Sequence, residues 1–192
     1  MKKFSFVKIV LLVLMYAITL ILSGCDYIHH DSKIDKINLL DLLFEASDMP
    51  SHWTVVNYGI NKAIGLYRSS DGAGIVFLSD LYPESLGVDE EIYRFDTIAR
   101  SKGDYVHEFN ILVQPSSFVP SEWKFYSQTA DQSYFGCIPA PNFTSCTWLA
   151  RYKSIVVEAR CILIPDRFTV ENMEKIVKVI DDKVSGIIGE SN

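Results

Sequence analysis

The chain has 192 residues, of which 48% are hydrophobic, 22% charged and 12% aromatic. That is the composition of a globular protein and excludes a disordered, collagen-like or coiled-coil chain. The formal net charge is −6, and all 24 acidic residues follow Cys25 while Lys2, Lys3 and Lys8 precede it, so the part after the leader is more acidic still and repels nucleic acid and anionic lipid headgroups.

Met1-Lys2-Lys3 is a short basic start, and an apolar run from Ile9 to Leu22 follows, broken only by Tyr16 and Thr19. The run has the length of a signal-peptide core and is shorter than the roughly 20 residues a membrane span needs. It ends at Leu22-Ser23-Gly24-Cys25. Here residues 1–25 resemble bacterial prolipoproteins, whose lipobox sets an aliphatic residue and two small ones before an obligatory cysteine. The resemblance implies a signal peptide over 1–24, cleavage after Gly24, a diacylglycerol on the sulfur of Cys25 and further acylation, such as palmitate, at the new N-terminus. Small Ser23 and Gly24 let a peptidase reach the backbone, and a thiolate is the nucleophile that accepts the lipid. Two or more acyl chains make a durable anchor where one does not. The implied localisation is the cell membrane, lipid-anchored, with the domain on the extracytoplasmic side. Asp26 resembles the inner-membrane retention signal of enteric-type bacteria.

Residues 25–31 form a short tether reaching about 25 Å at full stretch. His29-His30-Asp31 in this tether offers two imidazoles and one carboxylate on a flexible segment, which reads as a polar spacer and not as a metal site. Residues 32–192 show no repeat, low-complexity segment or linker and are expected to form one domain.

In chain order, a helix is predicted over 33–47, capped by Ser32 with Asp35 behind it, Ile37, Leu40, Leu43 and Phe44 on one face and Asp48-Met49-Pro50 as its stop. Trp53–Tyr58 reads as a strand. Ala63–Arg68 and Ala73–Ser79 read as a hairpin about Ser70-Asp71-Gly72, and Gly72-Ala73-Gly74 as turn chemistry. A strand near Glu91–Phe95 precedes a second helix over 97–111, with Asp96 as cap, Ala99, Val106 and Phe109 inward, and Pro115 closing the stretch. Trp123–Tyr126, Gln132–Cys137, Cys146–Tyr152 and Ile155–Ile164 read as consecutive antiparallel strands. A two-residue turn at Lys153-Ser154 would set Cys146, Trp148 and Ala150 against Cys161, Ala159 and Val157 on one apolar face. Thr147, Leu149 and Arg151 would then meet Arg160, Glu158 and Val156 on the other, and a one-residue slip would mix the two sets. The last helix, over 170–187, carries the stripe Val170, Met173, Val177, Ile180, Val184 and Ile187, with Thr169 as cap and Phe168 as staple.

The order implies an α+β domain, an antiparallel sheet packed against helices with a C-terminal amphipathic helix. The Pro50-Ser51-His52-Trp53 start, the late hairpin and the terminal helix resemble the layout of the PsbP-like sandwich (the Mog-type fold), whose members mostly serve as accessory and assembly factors.

Export would bring Cys137, Cys146 and Cys161 into an oxidising compartment. Cys137 and Cys146 bracket a loop with Pro139 and Pro141, the usual setting for a clasp worth roughly 2.5–3 kcal/mol in the loop-entropy account. The rival pair is Cys146–Cys161, opposite each other in the expected register. The favoured pair is Cys137–Cys146, leaving Cys161 as a buried free thiol. A catalytic role for that thiol needs a base, and His29, His30, His52 and His107 are all distant in sequence. The cysteine spacings contain no Cys-x-x-Cys knuckle for a metal.

The chain has no Gly-x-Ser-x-Gly elbow, phosphate loop, His-Glu-x-x-His or dinucleotide fingerprint, and no cofactor is expected. Asp89-Glu90-Glu91 and Asp181-Asp182 read as solvated surface, His52 with Trp53 as strand start and core, and the sequon Asn142-Phe143-Thr144 is set aside beside a bacterial lipobox. The leading reading is a non-enzymatic binding or accessory module at the envelope, with a protein or small ligand as partner and no nucleic acid. The alternative is an envelope-acting enzyme assembled from distant loops, marked by a deep pocket collecting two or more of His52, His107, Asp104, Glu108 and Glu122. A third is a purely structural protein with a flat surface.

Overall fold

The computed structural model describes residues 34–49, 53–60, 69–79, 87–163 and 168–190. The leader, Cys25, the tether with His29 and His30, the Pro50–His52 start and the strand expected at Ala63–Arg68 lie outside them. The described chain is an α+β fold. Strands β1 (Trp53–Ile60), β2 (Asp71–Ser79) and β3 (Gly87–Arg94) are followed by helix α1 (Ile98–Leu112), then β4 (Gln132–Pro139), β5 (Thr144–Tyr152), β6 (Ile155–Leu163) and helix α2 (Val170–Glu190). The strands form one six-stranded sheet in the order β1-β2-β3-β6-β5-β4, with every neighbouring pair antiparallel. Two consecutive three-stranded meanders are thus joined along the β3–β6 seam.

The β5–β6 hairpin has the register its pattern dictates. Cys146 faces Cys161, Trp148 faces Ala159 and Ala150 faces Val157, and all six side chains are buried on the face that takes α2. Lys153 opens the turn at φ 54°, the left-handed value that a primed hairpin turn requires. The turn is also an anchor: the Lys153 carbonyl accepts from Ser101 Oγ on α1 at 2.5 Å, and the Ser154 carbonyl accepts from Phe95 N–H at 2.9 Å. Helix α2 buries Met173, Ile176, Val177, Ile180, Val184 and Ile188 against this sheet face, and Thr169 caps it with Asn172. It runs three residues beyond the predicted end.

The first predicted helix is not an α-helix. Residues 34–49 form three short 3-10 turns, Ile34–Lys36, Leu39–Leu42 and Ala46–Asp48. Ile34, Leu39, Leu42, Leu43 and Phe44 are all buried beneath them. The backbone of this strap makes local i→i+3 bonds, and distant side chains take four further contacts in place of an i→i+4 ladder. Glu90 accepts from Phe44 N–H at 2.8 Å, Arg94 Nη1 donates to the carbonyls of Ile34 and Ile37 at 3.0 and 2.7 Å, and Lys183 Nζ donates to the Leu43 carbonyl at 2.9 Å. Backbone groups claimed from outside are not available to an α-helical ladder.

Three further expectations are corrected. Asp71 and Gly72 lie inside β2, not in a turn, and β2 pairs with β1. Asp71 is drawn into the ladder opposite Arg94, which it meets in a 2.7 Å ion pair. Helix α1 is capped by Thr97, whose Oγ1 accepts from Arg100 N–H at 3.2 Å, while Asp96 pairs with the Arg100 side chain. It buries Ser101, Asp104 and Tyr105 and leaves Val106 44% exposed, because Tyr105 and Phe109 turn toward Leu149 and Val156 on the sheet's second face. Gly136 on β4 makes room there for Tyr134, whose ring meets Phe109 edge-on at 4.9 Å; a Cβ on Gly136 would lie 2.6 Å from that ring. Trp123–Tyr126 is not a strand. Trp123 stacks on Phe135 at 3.6 Å, and Glu174 Oε1 takes the N–H groups of Lys124 and Phe125 that a ladder would use.

The acidic runs are only in part solvated surface: Asp182 is exposed and Asp89 and Glu91 are half-buried, but Glu90 and Asp181 are buried. Asp181 is buried and accepts from the Tyr152 hydroxyl and from Ser127 Oγ, while Glu90 lies fully buried between Val88 and Ile92 on the core face. Only one Glu90 oxygen has a hydrogen-bond partner. Burial pushes its carboxyl from 4.5 up to about 8, against the pull of Phe44 N–H and Lys183. An acid whose pKa rises on folding holds its proton more tightly in the native state, so its contribution is most favourable at low pH and is lost as pH rises from about 4.5 to about 8. Urea unfolding at pH 5 and pH 8 is expected to show the wild type less stable at pH 8, with Glu90 accounting for on the order of 2 kcal/mol. Glu90→Gln should remove the Glu90 share and leave the part due to Asp104 and Glu158, whose carboxyls are also raised; a variant with the full wild-type difference would show that Glu90 does not contribute to it.

Candidate functional site

On the second face of the sheet, strand alternation sets Asp89, Glu91 and Tyr93 of β3 beside Arg160, Glu158 and Val156 of β6. Glu91 and Glu158 are directly opposite, a like-charge pair that needs a cation to be tolerated. Arg160 supplies it. Its Nε donates to Asp89 Oδ2 at 2.6 Å, its second terminal nitrogen donates to Glu91 Oε2 at 2.9 Å, and Glu158 Oε1 is 3.9 Å from Nε. The Tyr93 hydroxyl donates to the same Glu91 oxygen at 2.7 Å.

Helix α1 crosses this strip and adds Asp104 and Glu108 from one face, four residues apart. Together they enclose a cleft of about 190 Å³, with Phe95 and Val156 as its apolar wall and Ser69, just before β2, completing the lining. Ser69 is 6% exposed, and its Oγ has no hydrogen-bond partner. Asp104 carries no hydrogen bond to another described residue; its neighbours Glu108 and His107 act on it through charge alone. Burial, then the charge of Glu108, lifts the Asp104 carboxyl to about 6 against the opposing effect of His107. Burial lifts Glu158 to about 7, with Arg160 opposing and Glu108, Glu91 and Asp89 adding to the rise. Asp89 is raised too, by burial more than Arg160 lowers it. Burial pulls Arg160 down, but Glu158, Asp89 and Glu91 outweigh it and hold the guanidinium charged.

The cleft therefore gathers Asp104 and Glu108 of the five residues singled out from the sequence. Glu122 lies elsewhere, on an apolar groove of about 650 Å³ between Phe118, Leu163 and the first turn of α2. Among the described residues no group of three or more His, Cys, Asp or Glu has the arrangement of a metal site. The structure joins Cys137 to Cys146, directly opposite on β4 and β5, and leaves Cys161 as a buried free thiol on the core face. Burial, and secondarily the charge of Asp89, raises that thiol well above its ordinary range. Sequence reasoning missed Glu91, Glu158, Arg160, Tyr93 and Ser69 as site residues. The available signal was the pair Glu158 and Arg160 on the hairpin face away from the apolar one, a face that a helix had to cover.

No protein-family model and no curated protein sequence matches the chain. Two solved structures resemble it. The extracellular domain of PknH from Mycobacterium tuberculosis superimposes with a TM-score of 0.52 at 8% identity, over 77% of this chain and 93% of that one. A GTP-binding regulator from Thermotoga maritima gives a TM-score of 0.44 at 11% identity, over 81% of this chain and 96% of that one. The likeness to the PknH domain is one of fold.

The Arg160 side chain is 42% exposed, so water screens part of its role. Arg160→Met would leave Asp89, Glu91 and Glu158 without their shared cation. With that screening allowed for, we expect a loss of about 1–2 kcal/mol at pH 8 and a smaller one at pH 5, where Glu158 takes up a proton. Denaturation at the two pH values checks this; an equal loss at both would remove the carboxylates from the explanation.

Proposed function

We propose that this chain is a lipid-anchored envelope protein, held through Cys25 with its domain on the extracytoplasmic side, and that the domain is a binding module whose ligand enters the cleft between α1 and the β3–β6 seam. The observation that carries the binding role is the cleft's composition: among the described residues, buried Asp104 and half-buried Glu91, Glu108 and Glu158 converge on it with one arginine. A concave lining with convergent charged groups, two of them with raised carboxyl pKa, is the character of a binding site. The lipobox residues support the anchor, and the Cys137–Cys146 bond fits an oxidising compartment. No described helix is long and apolar enough to cross a membrane. The fold shared with an extracellular domain agrees with this setting. An accessory role, as the PsbP-like layout suggests, is compatible with it.

A second reading has one observation in its favour. Asp104 and Glu158 hold protons near neutrality in one cleft, as the acid and base of a hydrolase do. The binding module is preferred because Ser69 Oγ touches no base that would activate it.

Two measurements test the reading. Fractionation should show the wild type in the membrane and Cys25→Ala released; a variant that stays membrane-bound after a high-salt wash would sink the anchor. Native mass spectrometry of the full chain, extracted in mild detergent, should show a small adduct that disappears on denaturation. A bare protein mass from every extraction would count against a tightly held small ligand.

A further inference from the structure

We propose that Cys137, Cys146 and Cys161 form an internal thiol–disulfide exchange centre, in which Cys161 displaces Cys137 from Cys146 and moves the covalent bond from the β4–β5 pair to the β5–β6 pair. The inference is independent of the cleft and of any ligand there.

Three features converge on it. The first is position. Cys137 on β4, Cys146 on β5 and Cys161 on β6 stand directly opposite one another across three neighbouring strands, and all three are buried in the same core cluster. The central cysteine thus has its disulfide partner on one side and a free thiol on the other. Cys161 faces Val88 across the seam with β3, so Cys146 is its sulfur-bearing neighbour in the ladder. The second is separation. The N–H and carbonyl of Cys137 both turn to Phe118, away from β5, which makes Cys137–Cys146 a non-hydrogen-bonded pair, with Cα atoms 4.1 Å apart. Alternation then makes Cys146–Cys161 a hydrogen-bonded pair with Cα atoms about 5.5 Å apart, inside the span that disulfides bridge. The third is direction. In exchange a thiolate attacks one sulfur of a disulfide while the other leaves, and attack is easiest opposite the leaving sulfur. Because Cys146 stands between its two neighbours, Cys161 approaches it from the side away from Cys137.

The step balances without an outside oxidant or reductant. The Cys161 thiol gives its proton to solvent and its sulfur bonds to Cys146 Sγ, while the Cys146–Cys137 bond breaks and the Cys137 thiolate takes a proton from solvent. Packing holds the step back in the closed domain, since burial keeps Cys161 protonated and only a thiolate attacks. Helix α2 packs on the sheet face that carries the row, through Met173, Val177 and Ile180, so exchange follows a local opening of that helix. Its effect is to untie the outer strand β4 and to tie the two strands of the β5–β6 hairpin to each other. Which strand is clasped then records whether this face has opened.

The test uses the full chain in a nonionic detergent at pH 8, with iodoacetamide present throughout and urea raised from zero to the foot of the unfolding transition. Digestion without reduction, followed by mass spectrometry, reads which cysteine carries the label and which two are bonded. The expected result is a growing fraction with Cys137 labelled and Cys146 bonded to Cys161, beside the simple product labelled at Cys161. That fraction should be independent of protein concentration, as exchange within one chain requires, and should persist in Cys25→Ala, which removes the fourth cysteine as attacking thiol. Cys161→Ala should abolish labelling of Cys137. Cys137→Ala in a glutathione redox buffer should yield the Cys146–Cys161 crosslinked peptide. Label confined to Cys161 in the wild type at every urea concentration would overturn the proposal. So would labelling of Cys137 that survives in Cys161→Ala, disappears in Cys25→Ala or rises with protein concentration. A folded Cys137→Ala that keeps both thiols in a buffer that re-forms the wild-type disulfide would overturn it as well; if that variant does not fold, the wild-type labelling decides alone.

Discussion

The structure depends on the seam where β3 meets β6. It is the one long-range pairing that turns two local meanders into a single sheet, and it is made by a strand carrying three consecutive acids. Alternation sends Glu90 to the core and Asp89 and Glu91 to the opposite face, so the seam closes only if both faces neutralise or satisfy a carboxylate. Arg160 does this on one side, reaching Asp89 and Glu91 from the adjacent strand. On the other side a backbone N–H of Phe44 caps Glu90. Neither solution is local: the partners are separated by 71 and 46 positions along the chain.

That dependence explains why the N-terminal strap and the cleft are two consequences of one strand. The strap is drawn over the sheet by Glu90 and Arg94, both on β3, and fastened at its far end by Lys183 on α2. The cleft forms on the reverse because β3 and β6 leave more acids than Arg160 can serve and α1 brings two more across them. A single arginine stabilises the seam and at the same time leaves negative potential in the groove beside it.

How much of this was legible follows from the range of the interactions. The β5–β6 hairpin and α2 were readable because their patterns are local: a two-residue turn fixes the facing residues, and a repeat of three and four fixes a helix face. The α+β class followed from the order of such elements. The strap was misread as a helix because its apolar residues do go inward, while the groups that deny it a helical ladder, Glu90, Arg94 and Lys183, lie far along the chain. Glu90 itself was misread because three acids in a row look like surface, although it shares the parity of buried Val88 and Ile92. The cleft was half visible: Asp104 and Glu108 were singled out, but their companions on β3 and β6 join them only once the seam is made.

Cys137 is fastened three ways. Its sulfur is bonded to Cys146, and its N–H and carbonyl exchange hydrogen bonds with Phe118 at 2.8 and 2.9 Å on the outer side of β4, the last strand of the sheet. A bare outer strand offers unpaired backbone groups to a neighbouring chain. Phe118 occupies that border near the strand's C-terminal end, and Pro139 ends the strand with a residue that has no N–H to offer. The C-terminal part of this flank is therefore guarded against edge-to-edge polymerisation by the segment that the Cys137 backbone holds in place.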